Sequence, residues 1–463
     1  MPRQVQVAVI SYEEFLRSKA IIDPPSGLSG SLPALPGQLF PFQHDIVTWA
    51  LRRGRAAIFA QTGLGKSFME LSWGKAIHEA TSGDVLLLAP LAVAAQMVRE
   101  AGKFELPAKQ CARQSDVEPG VTVTNYAKLH HFDLSHFTGV ILDESSILKS
   151  FDGKTRNALV SGCAQIPYRL AATATPAPND FTELGNHAEF LGVMSLTGMQ
   201  SIFFVHDAGD TGKWRLKGHA ENDFWRWMCS WSVLLRKPSD LGYDDGAYDL
   251  PLLTQHEHII ETQGELAKTL SERLAARRNT VAERVAKAAE LTPSNQPFVW
   301  WCNLNTESEA LAAAIPGAVE VRGSDKEEDK ERKLQAFANG DIRVLVTKPT
   351  ICGFGLNWQH CADTGFVGLN DSFEQVYQAI RRFWRFGQTR PVTVHFVAAS
   401  TEGAVLENLR RKEQEADRMG SAMVANMANL SSELVHGAAR EHDIYVPTLP
   451  MLVPRWLQSE ASC

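Results

Sequence analysis

Five short apolar runs recur between residues 56 and 173, and helical patterns separate most of them. They are AAIFA (56–60), DVLLLA (84–89), VTVT (121–124), GVILD (139–143) and RLAAT (169–173). Each is bounded like a strand buried on both faces. Strands of this kind, alternating with crossover helices, form a parallel sheet covered on both sides. A second series follows: FVWWC (298–302), VEVRG (319–323), RVLVT (343–347), GFVGL (365–369) and VTVHFVA (392–398). The expected fold class is α/β, with two parallel-sheet lobes in tandem. No fixed-period repeat relates the two series.

The rest of the 463-residue chain divides around these lobes. Residues 1–38 read as an amino-terminal extension and linker. Ser11 and Glu14 make a capping box there, and 23–37 are rich in Pro, Gly and Ser. The first lobe spans 39–189. Residues 190–261 break the βα pattern and read as a helical insert and connection. Trp214, Trp225, Trp227 and Trp231 crowd within it, as an aromatic core or, alternatively, a base-stacking platform. The second lobe spans 262–415, led by a long helix over 262–290. A helix from about 401 closes it, and 416–463 form a weakly patterned tail.

Net charge is −7, which argues against a protein that grips nucleic acid with a global positive field. A localised basic track stays open. Cys111, Cys163, Cys229, Cys302, Cys352, Cys361 and Cys463 include no CxxC pair. That spacing fits reduced thiols better than a disulfide framework or a zinc finger. The first residues, MPRQVQVAVISYEEF, lack the apolar core of a signal peptide, and Val85–Ala95 is too short to span a bilayer. The expectation is a soluble, cytoplasmic protein, monomeric, in a prokaryotic or phage-infected cell.

The strongest local signal is AAIFAQTGLGKS (56–67), a buried strand running into a Gly-rich loop that opens a helix. A phosphate loop needs this context. Thr62, Gly63, Leu64 and Gly65 would cradle phosphates with backbone N–H groups. Lys66 would reach the β- and γ-phosphates of ATP, and Ser67 would bind Mg²⁺. Asp143 and Glu144 end another strand. Asp143 is placed to hold Mg²⁺ and Glu144 to polarise the attacking water. Residues 378–391, QAIRRFWRFGQTRP, carry Arg381, Arg382, Arg385 and Arg390 and no acid. At helical spacing Arg382 and Arg385 share a face, suited to stabilising transition-state charge.

The order of these segments resembles superfamily 2 helicases, the Snf2-like branch in particular, over roughly residues 39–415. Small phage-encoded helicases look like the nearest group. PFQHDIVTWAL (41–51) is similar to the segment whose glutamine contacts adenine, which would be Gln43. QTGLGKS (61–67) resembles motif I, LLLAPLAVAAQ (86–96) motif Ia and VTNYAKL (123–129) motif Ib. LDESS (142–146) resembles motif II and LAATATPAPND (170–180) motif III. WWCNLNTE (300–307) sits where motif IV belongs, followed by VRGS (321–324). TKPTICGFGLNWQ (347–359) resembles motif V and YQAIRRFWRFGQTRPV (377–392) motif VI.

The resemblance implies two RecA-like lobes facing each other across an ATP site. Arg382 and Arg385 would be arginine fingers, with Gln378 and Gly355 lining the cleft. Thr173 and Thr175 would couple the acid pair to motif III. Pro90, Thr124, Asn125, Tyr126, Arg322, Ser324 and Asn357 would contact the nucleic-acid backbone. Three departures stand out. Ser146 replaces the histidine that usually ends motif II and couples it to motif III, Cys352 replaces a glycine of motif V, and Ala60 replaces the first glycine of the phosphate loop. The implied activity is an ATP-dependent DNA translocase, duplex DNA favoured, with a protein partner supplying specificity. The alternatives are a strand-separating DNA or RNA helicase and a non-catalytic nucleic-acid-binding adaptor.

Overall fold

The computed structural model describes residues 23–436, apart from 150–152, 178–179, 208–209, 264–266, 268, 353–357, 370–371 and 403–404. The capping box at Ser11–Glu14, Gly355 and Asn357 lie outside the described residues.

The first series forms a seven-stranded sheet of β1 (Arg55–Ala60), β2 (Val85–Ala89), β3 (Ala108–Gln110), β4 (Val121–Asn125), β5 (Gly139–Asp143), β6 (Tyr168–Thr173) and one strand from the insert. Within the insert, β7 (Phe204–Asp207) and β8 (Asp210–Leu216) pair as an antiparallel hairpin, and β9 (Ser232–Leu235) is that seventh strand. The order is β3-β4-β2-β5-β6-β1-β9, parallel throughout. The central strands are apolar on both faces because both are covered. Ala57, Phe59, Leu86 and Leu142 enter one core, while Ile58, Val85, Leu87 and Ile141 enter the other.

The second sheet runs β10-β15-β14-β11-β13-β12, again parallel. Its strands are β10 (Leu253–Ile260), β11 (Phe298–Cys302), β12 (Ala318–Glu320), β13 (Val344–Thr347), β14 (Asp363–Val367) and β15 (Val392–Ala399). The α/β class and the two parallel-sheet lobes expected from sequence are therefore present.

Several local expectations change. LTQHEHII carries polar residues on an edge strand, so it reads as connection, yet it pairs along its whole length with β15. The helix expected over 262–290 is two helices, Leu270–Asn279 and Val281–Leu291. Thr280 breaks it: its hydroxyl donates back to Ala276 O (3.0 Å), and Arg284 Nε donates to the same hydroxyl (3.2 Å). Arg284, fully buried, also pairs with Glu307 (2.7 Å) and Glu402 (3.1 Å). Trp225, Trp227 and Trp231 are buried against Phe203, Phe224, Met423 and Met427, so they form a core and cannot stack bases. The Pro/Gly-rich linker is docked, with Ser26, Gly27 and Leu28 N–H donating to Arg53, Arg52 and Leu51 carbonyls.

The final helix does not stop where the tail was expected to begin, at 416, but runs from Val405 to Val435. Val405 and Leu409 pack in the second-lobe core, while Met423 and Met427 pack in the first. It therefore lies on both lobes, where sequence placed it on the second. Its apolar spacing continues through residues the sequence reading assigned to the tail.

Candidate active site

Parallel register brings the chemistry to one edge. Phe59 pairs with Thr173 and Asp143 with Ala172, so the loop after β1, the acid pair after β5 and the turn after β6 converge. Crevices at the carboxyl ends of parallel strands are where such sheets bind ligands. Here the crevice is a cavity of about 440 Å³ between the lobes. Gln43, Thr62, Gly63, Gly65, Lys66, Ser67, Asp143 and Glu144 line it from the first lobe; Gln378, Arg382 and Arg385 line it from the second.

Gly63 (φ 98°) and Gly65 (φ 80°) occupy the left-handed region that favours glycine. A Cβ on Gly65 would lie 2.3 Å from Gln43 Nε2. Leu64 turns its side chain into the core. Lys66 Nζ donates to Ala60 O (2.9 Å). Gln43 is committed to the loop itself, donating to Leu64 O (2.9 Å) and accepting from Phe40 N (3.0 Å).

Three carboxyls meet behind the loop. Burial, then the charges of Asp143 and Glu144, hold Glu70 well above the carboxylate range, with Lys66 opposing. Burial and the Glu144 charge push Asp143 up to about 7, again against Lys66. Burial raises Glu144 too, while Lys66, the Thr173 hydrogen bond and Arg382 pull it down. Glu144 itself is held at φ 53°, a strained position of the kind that clusters at functional sites. Thr173 Oγ1 donates to Glu144 Oε2 (3.3 Å) and accepts from Thr175 N (3.1 Å). Motif III therefore touches the acid pair.

Sequence reasoning missed Glu70, although its place one helical turn after Lys66 puts both on one face. It also missed the lip of Phe40, Tyr248 and Phe386, whose rings meet at 4.7–6.2 Å. Another missed contact crosses the lobes: with its amide turned to satisfy both neighbours, Gln61 O accepts from Arg381 Nη2 (2.5 Å) and its N donates to Arg236 O (2.8 Å). Arg385 lies over the phosphate loop. Burial lowers its pKa to about 10, so it stays charged, and its Nε is buried without a partner among the described residues. Gln378 Nε2 is likewise buried and unpartnered.

The expected nucleic-acid contacts do not gather. Thr124 and Asn125 are buried, and Asn125 Oδ1 caps the next turn by accepting from Lys128 N (3.2 Å). Tyr126 donates its hydroxyl to Asp143 O (2.6 Å). The Asn125 and Tyr126 side chains are thus engaged within the lobe. Pro90 starts the helix Leu91–Lys103. Arg322 is exposed but paired with Glu320 and Glu309, and Ser324 is exposed. Among the described residues no helix is long and apolar enough to cross a membrane.

Two facing parallel-sheet lobes thus share one cleft, with a Gly-rich loop and acids on one side and arginines on the other. No family model matches the chain. It is 25% identical to the putative protein p41 of Acyrthosiphon pisum secondary endosymbiont phage 1, over 83% of this chain and 98% of that protein. It is 38% identical over 97 residues to the bifunctional helicase and thymine dioxygenase JBP2 of Leishmania infantum, covering 20% of this chain and 9% of that protein. A solved structure, the Sulfolobus solfataricus SWI2/SNF2 ATPase core in complex with dsDNA, superposes over 88% of this chain and 97% of that one at 17% identity and TM-score 0.42. The order of its motifs resembles that of the Snf2-like branch of superfamily 2.

Proposed function

We propose that the chain is an ATP-dependent motor coupling hydrolysis to movement along DNA, duplex favoured. The observation that carries this is one cavity holding Lys66, Asp143 and Glu144 beside Arg382 and Arg385 of the other lobe.

The residues present fit ATP and Mg²⁺. The orphaned Arg385 Nε and the left-handed glycines suit phosphate oxygens. Asp143 and Ser67 offer hard oxygen donors, and two further buried carboxyls lie beside them. Among the described residues no group of three or more His, Cys, Asp or Glu is arranged to hold a metal alone. The ion would share phosphate oxygens, as Mg²⁺ commonly does. When bound, it neutralises phosphate charge.

Gly63, Gly65 and Lys66 then hold the triphosphate tail. Phe40, Tyr248 and Phe386 offer ring faces to the base, and Gln43 sits beside them. Glu144, oriented by Thr173, aligns a water and accepts its proton as the water oxygen bonds the γ-phosphorus and the bond to ADP breaks. Arg382 and Arg385 meet the charge that develops. They come from the second lobe, so turnover requires closure and release requires opening. The form of motif VI supports DNA as the track.

ATP hydrolysis measured with duplex DNA, single-stranded DNA and RNA tests this. Stimulation by duplex DNA is expected; stimulation by RNA alone would overturn the DNA assignment. Lys66→Ala and Glu144→Gln should each abolish turnover, and normal hydrolysis in both would sink the site.

A further inference from the structure

The residue that departs from its family at the end of motif II has found a different partner. Ser146 Oγ lies 3.3 Å from Glu374 Oε1, and Lys149 Nζ pairs with Glu374 Oε2. Ser146 and Lys149 belong to one short turn, Ser145–Lys149, that directly follows Glu144. Glu374 opens the helix Phe373–Ile380, which carries Gln378 and leads into Arg382. A single second-lobe carboxylate therefore takes both its bonds from the turn attached to the acid pair.

Both sides of this contact are firmly mounted. On the first lobe, Leu148 is buried in the core and Ser145 Oγ bonds His187 Nε2 (3.1 Å). On the second, Val376, Ala379 and Ile380 anchor the helix in its core. The Glu374 side chain is only 17% exposed, so its charge is less screened than that of a surface pair. The Gln378 amide nitrogen, by contrast, has no partner among the described residues. Neither Ser146 nor Lys149 can keep these bonds when the lobes separate.

We infer that Glu374 is a positioning residue that registers lobe closure at motif II, through Ser146 and Lys149, and so sets Glu144 only in the closed state. This rests on the ATPase reading for its catalytic consequence, though the contact itself does not. The serine at 146 then has a reason. A short hydroxyl leaves room for a carboxylate to arrive from the opposite lobe, and Lys149 supplies the charge.

The test is a charge-exchange cycle in the full-length protein: Glu374→Ala, Glu374→Gln, Lys149→Glu and the double variant Lys149→Glu/Glu374→Lys. Two readouts are taken: DNA-stimulated kcat, and the radius of gyration by X-ray scattering with and without a non-hydrolysable ATP analogue. Glu374→Ala and Lys149→Glu should each lower kcat about tenfold with little change in KM for ATP. They should also enlarge the radius and blunt its contraction on analogue binding. The double variant should recover most of both. Glu374→Gln, keeping the Ser146 bond, should fall between. Wild-type kcat and compaction in Glu374→Ala would overturn the inference. So would a loss that the exchange does not rescue, because a merely structural defect has no reason to reverse with charge. If the wild type hydrolyses no ATP, the proposed function fails while the scattering cycle still decides the contact.

Discussion

The two halves of the cleft are built differently. First-lobe groups are tied down by bonds within their own lobe: Lys66 to Ala60, Gln43 to Leu64, Thr173 to Glu144, Tyr126 to Asp143. Second-lobe groups meet the site through contacts that cross the cleft, as Arg381 and Glu374 do, or hold atoms in reserve, as Arg385 Nε and Gln378 Nε2 do. The first half is organised before anything binds. The second becomes part of a site only by approach. The proposed motor would need this asymmetry, because a site complete in one lobe would turn over without moving the other.

The largest expected effects separate the halves. Lys66→Ala should weaken nucleotide binding and abolish turnover together, since it removes a ground-state phosphate contact. Arg385→Ala should leave the affinity for ATP nearly unchanged and lower kcat by ~100-fold or more. Equilibrium binding of a fluorescent ATP analogue alongside steady-state kinetics reads both. Equal losses of affinity in the two variants would erase the distinction.

A smaller effect should come from Thr173→Val. It removes one hydrogen bond to Glu144 and keeps the shape, so kcat should fall about tenfold with KM intact. Gly65→Ala should act on folding as well as binding. A side chain at φ 80° is strained by ~1–3 kcal/mol, and its Cβ would press on the Gln43 amide. A melting temperature several degrees lower, partly restored by nucleotide, is the expected readout.

Legibility in the sequence follows the same division. The phosphate loop and the acid pair are contiguous segments whose spacing implies their geometry, and the structure puts them in one cavity. The arginines were legible as a charge pattern. Glu374 was not, because nothing near residue 374 hints that residue 146 will lie against it. Tyr126 was legible as part of a motif but not in what it does, since its bond to the Asp143 carbonyl depends on how β4 and β5 bracket β2. Within the folds, β10 hid behind its histidines and the final helix behind its length. Met423 and Met427 look unpatterned until two lobes are there to receive one helix.

The smallest prediction sets one histidine in each lobe against the other. Burial holds His187 of the first lobe down at about 4, from an ordinary 6.5. His395 of the second also sits at about 4, lowered by burial and then by His258 and His256, with Lys287 and Glu290 facing His258 from the helix Val281–Leu291. Each folded pKa is depressed, so the unfolded chain takes up protons that the folded lobe refuses. Stability is then fully present above pH 6.5 and declines as pH falls toward 4. His395 shares its cost with a hydrogen-bonded neighbour, His258 Nε2 at 3.0 Å, on an edge strand that can loosen locally. His187 lies edge-on to Phe59 in the core, and its Nε2 meets Ser145 Oγ (3.1 Å) on a buried turn rather than on an edge strand. Thermal unfolding between pH 7.5 and 5 should therefore lose more of its pH slope in His187→Gln than in His395→Gln. The reverse order would mean that the second lobe, not the first, is the rigid partner in the cleft.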